Sequence, residues 1–335
     1  MNNRNVYSVA ARRRLGPWLA IPHGSPWPAI ALSMAMGLAA CSRGDRVVLG
    51  NQSPTPYVFG TPAPVAELAS TAKTDNPTLT ADMLEIFFTS LRDPTANSHI
   101  WHATRTSRNA PFNTPEMVVE VQSPLTAEMS PAISADGLTL WFGSDRAGGL
   151  GDLDIWASTR ATRSSPWSSP TNLVPLNSTA KDIPRPLGQH NSVMPMASER
   201  ATPDLYQTYL AARAGDGAFT APTVIPEIAT TDLNHVDGFL TDDGLALFFT
   251  QGPAGGTMDL WVAWRKSTLG PFEARMALDG INTAAYDELD AWLSPDGSQF
   301  YFTSNRSGTS QIYTASVSRA AAVPTSTSVD AGAQD

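Results

Sequence analysis

Acidic side chains return along this chain two residues apart and at a long, nearly constant interval. Glu288 with Asp290 is the fullest pair. His235 with Asp237, Asp182 with Pro184, Glu128 with Ser130 and Thr74 with Asn76 stand at the same place in steps of 53 or 54 residues. Five of these ten residues are carboxylic acids and none is Lys or Arg. Carboxyl groups brought together support two kinds of chemistry. One acid held protonated beside another held ionised can cleave a glycosidic bond, the first giving a proton and the second acting as nucleophile or base. Crowded carboxylates also raise one another's pKa, which favours a bound cation or an internal hydrogen-bond network. The candidate binding residues are Asn76, Glu128, Asp182, His235, Asp237, Glu288 and Asp290, and a hydrolytic reading would draw its acids from Asp182, Asp237, Glu288 and Asp290.

Other chemistries find few residues. The chain has no His-Glu-x-x-His metal helix, no Gly-x-Ser-x-Gly elbow and no phosphate-binding loop. His99, His102 and His190 read as packing or surface residues. Gly148 to Asp154 places two acids among glycines but lacks the oxygen ligands a calcium loop needs, and reads as a turn. Arg92, Arg146, Arg200 and Arg306 recur at one position. Such repetition points to structure, with each guanidinium reaching a carboxylate of the adjoining unit.

The elements that would position the acids form one repeated unit of about 53 residues, a period that belongs to stacked or circular architectures. After each acidic pair comes a turn at Asp82, Asp136, His190, Asp243 and Asp296, with Gly137, Gly244 and Gly297 following in three. Asp-Gly between apolar runs predicts a hairpin with positive φ at both turn positions. A second strand follows at Ile86-Phe87-Phe88, Leu140-Trp141-Phe142, Met194-Pro195-Met196, Leu247-Phe248-Phe249 and Phe300-Tyr301-Phe302. Unbroken apolar runs of this length predict strands covered on both faces. Pro195 makes the third unit the least regular. Third strands carry Trp101, Trp156, Tyr209, Trp261 and Tyr313. Fourth strands are expected around Phe59, Phe112, Trp167, Phe219 and Phe272, four of them with a proline three residues on.

The first of these fourth strands precedes every complete unit, and nothing like it follows Tyr313. A closed ring explains the offset. The pattern predicts an all-β, five-bladed β-propeller of four-stranded blades over residues 55 to 317, closed by an N-terminal strand that completes the last blade. The first strand of each blade then lines the axis with residues two apart on one face. The acids would make a negative mouth that attracts cations or basic peptides. They would serve equally as hydrogen-bonding partners for the neighbouring blade.

The segments LSPDGSQFYFTSNRSG (293 to 308), ISADGLTLWFGSDRAGGLGDLDIW (133 to 156) and WSSPTNLVPLNS (167 to 178) resemble the Pro-Asp-Gly relatives of the WD repeat. These build the propeller of TolB-type periplasmic proteins and of other bacterial envelope proteins. Residues 1 to 41 have a different character, with Arg4 and Arg12 to Arg14 ahead of a twelve-residue apolar stretch from Ala29 to Ala40. That is too short to span a bilayer and fits a secretory signal. Leu38-Ala39-Ala40-Cys41 resembles the lipobox of bacterial lipoproteins, which implies cleavage before Cys41 and its acylation. Ser42, in place of an aspartate, implies the outer membrane, with the domain facing the periplasm. Residues 42 to 54 read as a tether and 318 to 335 as a disordered tail.

Removing residues 1 to 41 takes away four arginines and no acids, so a net charge of −9 becomes −13. A domain this acidic excludes nucleic-acid binding. These resemblances imply a monomeric, lipid-anchored, non-enzymatic platform for an envelope protein or basic peptide. No cofactor is expected, and the axial channel could hold a cation. A five-bladed glycoside hydrolase and a structural spacer are the alternatives.

Overall fold

The computed structural model describes residues 57–94 and 97–319. The expected signal peptide, Cys41, the tether and all but the first two residues of the expected tail lie outside the described residues. Five antiparallel sheets make five blades. Blade 1 is Thr74–Leu79, Glu85–Ser90, His99–Thr104 and Glu116–Met117. Blade 2 is Glu128–Ile133, Thr139–Ser144, Asp154–Thr159 and Thr171–Asn172, and blade 3 is Asp182–Pro184, Val193–Ser198, Gln207–Ala212 and Thr223–Val224. Blade 4 is Leu233–Leu240, Ala246–Pro253, Asp259–Trp264 and Ala274–Ala277. Blade 5 holds Glu288–Leu293, Gln299–Ser304 and Gln311–Arg319, and the N-terminal strands Ala63–Pro64 and Tyr57–Phe59 both pair antiparallel with its last strand. The ring is thus closed by the earliest part of the described chain. That last strand runs to Arg319, two residues past the expected boundary, because Tyr57 pairs with Arg319.

The apolar runs of the second strands explain how blades stack. Alternate residues point to opposite faces of a strand, so Phe87 joins the core shared with blade 2 while Ile86 and Phe88 join the core shared with blades 4 and 5. Leu140 and Phe142 likewise face blade 1, and Trp141 faces blade 3. Leu247 and Phe249 meet blade 3, and Phe248 meets blade 5. Tyr57 sits between blades 4 and 5, its ring 4.9 Å from Phe248 and 6.4 Å from Trp264.

Two local expectations are corrected. Phe59 lies in a strand as expected, but in blades 1 to 4 the fourth strands begin two to four residues beyond the aromatic residues, and Pro115, Pro170 and Pro222 stand just before theirs, as Pro62 stands just before Ala63–Pro64. A residue without an N–H is thereby kept out of the ladder. In the Asp-Gly turns only the glycine takes positive φ, as at Gly137 (79°), Gly244 (68°) and Gly297 (69°). The aspartate keeps ordinary φ because it is already engaged: Asp136 Oδ1 accepts from Ser134 Oγ (2.6 Å) and from the N–H of Leu138 (2.9 Å). Asp82, Asp243 and Asp296 repeat this arrangement with Thr80, Thr241 and Ser294. Met83 takes the glycine's place in blade 1 at φ 62°. In blade 3 Gln189, His190 and Asn191 are all left-handed, so the turn is a different one.

The antiparallel order gives the ring two sides. Turns between first and second strands and loops between third and fourth strands open on one, the turn side. Loops between second and third strands and the crossovers between blades open on the other, the crossover side. Both Tyr57 and Arg319 lie on the turn side.

Candidate functional site

The first strand of four blades breaks its alternation at one position. Asn76 (φ 53°), Ser130 (50°), Asp237 (56°) and Asp290 (60°) are left-handed, and the pairing register shifts there by a bulge. The members of each acidic pair therefore take separate partners. This replaces the expected single face of residues two apart. Blade 3 has Pro184 at this position, whose ring fixes φ near −65°. No bulge forms there, and Arg185 follows directly.

The outer members of the pairs bond within their own blades, and Glu128 and His235 also reach the blade before. Glu128 Oε1 accepts from Thr126 Oγ1 (2.7 Å) and Arg146 Nη2 (3.0 Å), and its Oε2 lies 3.3 Å from His99 Nδ1. Asp182 accepts from Ser178 (N–H at 2.6 Å) and from Arg200 Nη2 (2.6 Å). Glu288 accepts from Thr283, Ser304 and Arg306 at 2.8 to 2.9 Å. The recurring arginines reach carboxylates of their own blade, not of the adjoining one. Each also donates to a carbonyl of the preceding crossover or connector: Leu68, Val121, Leu176 and Ile281. Arg92 has Thr74 where the others have an acid. Blade 4 lacks the arginine, and there His235 stands between Gln207 and Gln251, 3.2 Å from each. At this position of the repeat a carboxylate is present in the three blades whose arginine pairs with it, Glu128 with Arg146, Asp182 with Arg200 and Glu288 with Arg306.

The inner members meet at the centre. Asp290 of blade 5 accepts from the N–H of Asn76 of blade 1 at 3.0 Å and from its side-chain amide. Arg185 of blade 3 places Nη1 3.4 Å from Asp290 and 3.8 Å from Asp237 of blade 4. Blades 3 and 5 are not neighbours, so Arg185 crosses the axis. Its side chain is 1% exposed, and its Nε and Nη2 have no partner among the described residues. Lys73 and Asp75 pair at 2.5 Å beside this group.

Electrostatics follow from burial. Desolvation and then the neighbouring Asp290 push the Asp237 carboxyl well above the ordinary range. Burial also raises Asp75 against the pull of Lys73. Burial alone would lower Lys73, but Asp75 outweighs it and the ammonium is held more firmly than usual. The cluster is a packed network in which two cations, Lys73 and Arg185, stand among the three carboxyl groups of Asp75, Asp237 and Asp290. Among the described residues no group of three or more His, Cys, Asp or Glu is disposed to hold a metal ion. Crevices of 110 and 160 Å³ lie at the outer parts of blades 4 and 5, lined by residues such as Tyr57, Met276 and Phe272, and neither includes an axial residue.

Lys73, Asp75 and Arg185 are the residues that a count in steps of two passes over. The signal for Arg185 was Pro184, which cannot follow the other blades into a left-handed bulge. A second arginine repeat stands at the ends of the third strands. Arg105, Arg160 and Arg265 donate Nε to the carbonyls of Met83, Gly137 and Gly244, and stack over Phe112, Trp167 and Phe272 at 4.3 to 4.9 Å.

No family model matches the chain, and no curated protein is similar enough to match. Solved structures share the fold. A thermostable family-43 glycoside hydrolase matches with a TM-score of 0.52 at 10% identity, over 75% of this chain and 91% of its own. TolB from Acinetobacter baumannii matches at 0.47 and 15%, over 75% of this chain and 56% of its own. The α-L-arabinofuranosidase from Podospora anserina gives 0.49 and 12%, over 74% and 91%. At such identities the likeness is one of architecture alone.

Proposed function

We propose that this protein is a non-enzymatic binding platform, a rigid five-bladed ring lipid-anchored through Cys41 in the outer membrane and facing the periplasm, which offers a surface to an envelope protein or peptide. The carrying observation is the axis. Asp237 and Asp290 are 4% and 2% exposed, and the buried Arg185 guanidinium is lodged against both, at 3.8 and 3.4 Å. A glycosidase of either stereochemistry holds its two carboxyl groups about 5 to 9.5 Å apart around the sugar. The remaining acids are each committed to an arginine or hydroxyl of their own blade. A ring whose centre is occupied by its own side chains has its outer surfaces left for recognition.

Two measurements test this reading. Cells making the full chain and fed an alkyne-tagged palmitate should label it, and Cys41→Ser should lose the label; an unlabelled wild-type chain contradicts the anchor. A panel of aryl glycosides should give no turnover, and hydrolysis abolished by Asp237→Asn or Asp290→Asn would establish the hydrolase instead.

A further inference from the structure

The crossover side carries an uneven surface. Val119, Leu125, Leu150, Val174 and Tyr286 stand exposed there, whereas Leu269 is the large apolar side chain exposed on the turn-side loops among the described residues. Four of the five belong to three segments around blade 2: the crossover 118–127, the loop 145–153 and the crossover 173–181. These segments interlock. The N–H of Ala127 donates to Asp145 at 2.8 Å, and Arg146 reaches the carbonyl of Val121 at 2.6 Å. Gly151 lies so close to the backbone of Ser178 and Ala180 that a Cβ would come within 2.2 Å of the Ala180 oxygen.

Their charge is one-sided. Glu120, Asp145 and Asp152 are exposed, while the two bases of the three segments are engaged, Arg146 with Glu128 and Lys181 with Glu199. Leu125 is 91% exposed amid these acids. Apolar side chains left in water beside uncompensated carboxylates mark a contact surface more than a solvated one. The same charge repels anionic lipid and nucleic acid.

We propose that this surface over blade 2 docks a basic polypeptide segment that presents apolar side chains between its lysines and arginines. This rests on the platform reading and names its face and its partner's chemistry. The apolar side chains supply affinity by burial and the acids supply steering and register. The described chain begins and ends on the turn side, so the proposed surface is on the side away from both ends.

The test uses the full chain in its own cells, with photoreactive benzoylphenylalanine placed singly at positions 125, 150 and 174, and at 269 as the opposite-side control. Positions 125, 150 and 174 should yield one shared protein adduct whose cross-linked peptide is rich in Lys or Arg and apolar residues. Position 269, whose native Leu269 is 98% exposed, should not yield it. Glu120→Lys with Asp152→Lys should reduce the adduct at position 125 about tenfold or more, as loss of charge complementarity at a rim does. An adduct equally strong at 269, an acidic cross-linked peptide, lipid-only adducts, or indifference to the charge reversal overturns the proposal. A discrete protein adduct at 269 alone leaves the platform and moves its face. No protein adduct at any of the four positions removes the platform reading as well.

Discussion

Replacing Asp237 with asparagine changes little besides a proton, which makes it the sharpest probe of the axis. The raised carboxyl binds its proton more tightly in the folded ring than in the unfolded chain. Its contribution to stability is therefore complete below the unfolded value of about 3.9 and declines as pH rises through the raised folded value. Asp237→Asn should flatten that decline in urea unfolding measured from about pH 4 upward. The turn aspartate Asp296 works in the opposite sense. The hydroxyls of Ser294 and Ser298 hold it well below the ordinary range, so its contribution is present above about pH 3.9 and fades as the pH falls. Asp290→Asn is a different matter, since it strips the nearer partner from the buried Arg185. The expected cost is about 3–5 kcal/mol, read as a lower urea midpoint. The acids Asp237 and Asp290 were visible in the sequence because they stand at one position of the repeat, two residues after His235 and Glu288. Arg185 and Lys73 were not, because each is peculiar to one blade, and a repeat shows only what is shared.

At the scale of elements, the sequence displayed strands and turns plainly, and the structure differs where backbone conformation breaks the simple period. The bulges at Asn76, Ser130, Asp237 and Asp290 carry no consistent residue type, so alternation alone put both members of each pair on one face. The hairpin turns were legible from Asp and Gly, although only the glycine needs a left-handed φ. That need separates two substitutions. At Gly297 nothing lies near a would-be Cβ, so Gly297→Ala should cost about 1 kcal/mol from backbone conformation alone. At Gly137 the new carbon would meet Arg163 Nε at 2.9 Å, Thr80 Cγ2 at 3.1 Å and Glu85 Oε2 at 3.2 Å. Those groups hold blades 1 and 2 together, with Arg163 pairing with Asp82 at 2.6 Å and Arg160 with Glu85. Gly137→Ala should therefore lower the urea midpoint clearly more than Gly297→Ala, and equal effects would show that this seam has slack.

For the whole molecule, closure of the ring was the most legible feature, since one surplus fourth strand at the start and one missing at the end admit few arrangements. The contacts that fasten it are specific. Arg319 stacks over Tyr57 with its guanidinium carbon 3.7 Å from the ring centre and donates to the phenol oxygen at 2.8 Å. Burial raises that phenol's pKa to about 12, against the opposing pull of Arg319. Tyr57→Ala should cost about 3–5 kcal/mol, as for other large buried aromatics, and should loosen blade 4 as well as blade 5 in hydrogen exchange. The central claim is that the ring's axis is packed with its own paired side chains and leaves recognition to the surface. Carbon-13 NMR of the Asp237 carboxyl tests it most directly. The account predicts a group still protonated well above pH 3.9, the ordinary aspartate value being about that, and unmoved by added calcium or oligosaccharide. A carboxyl that titrates near the ordinary value and shifts on adding either would contradict it.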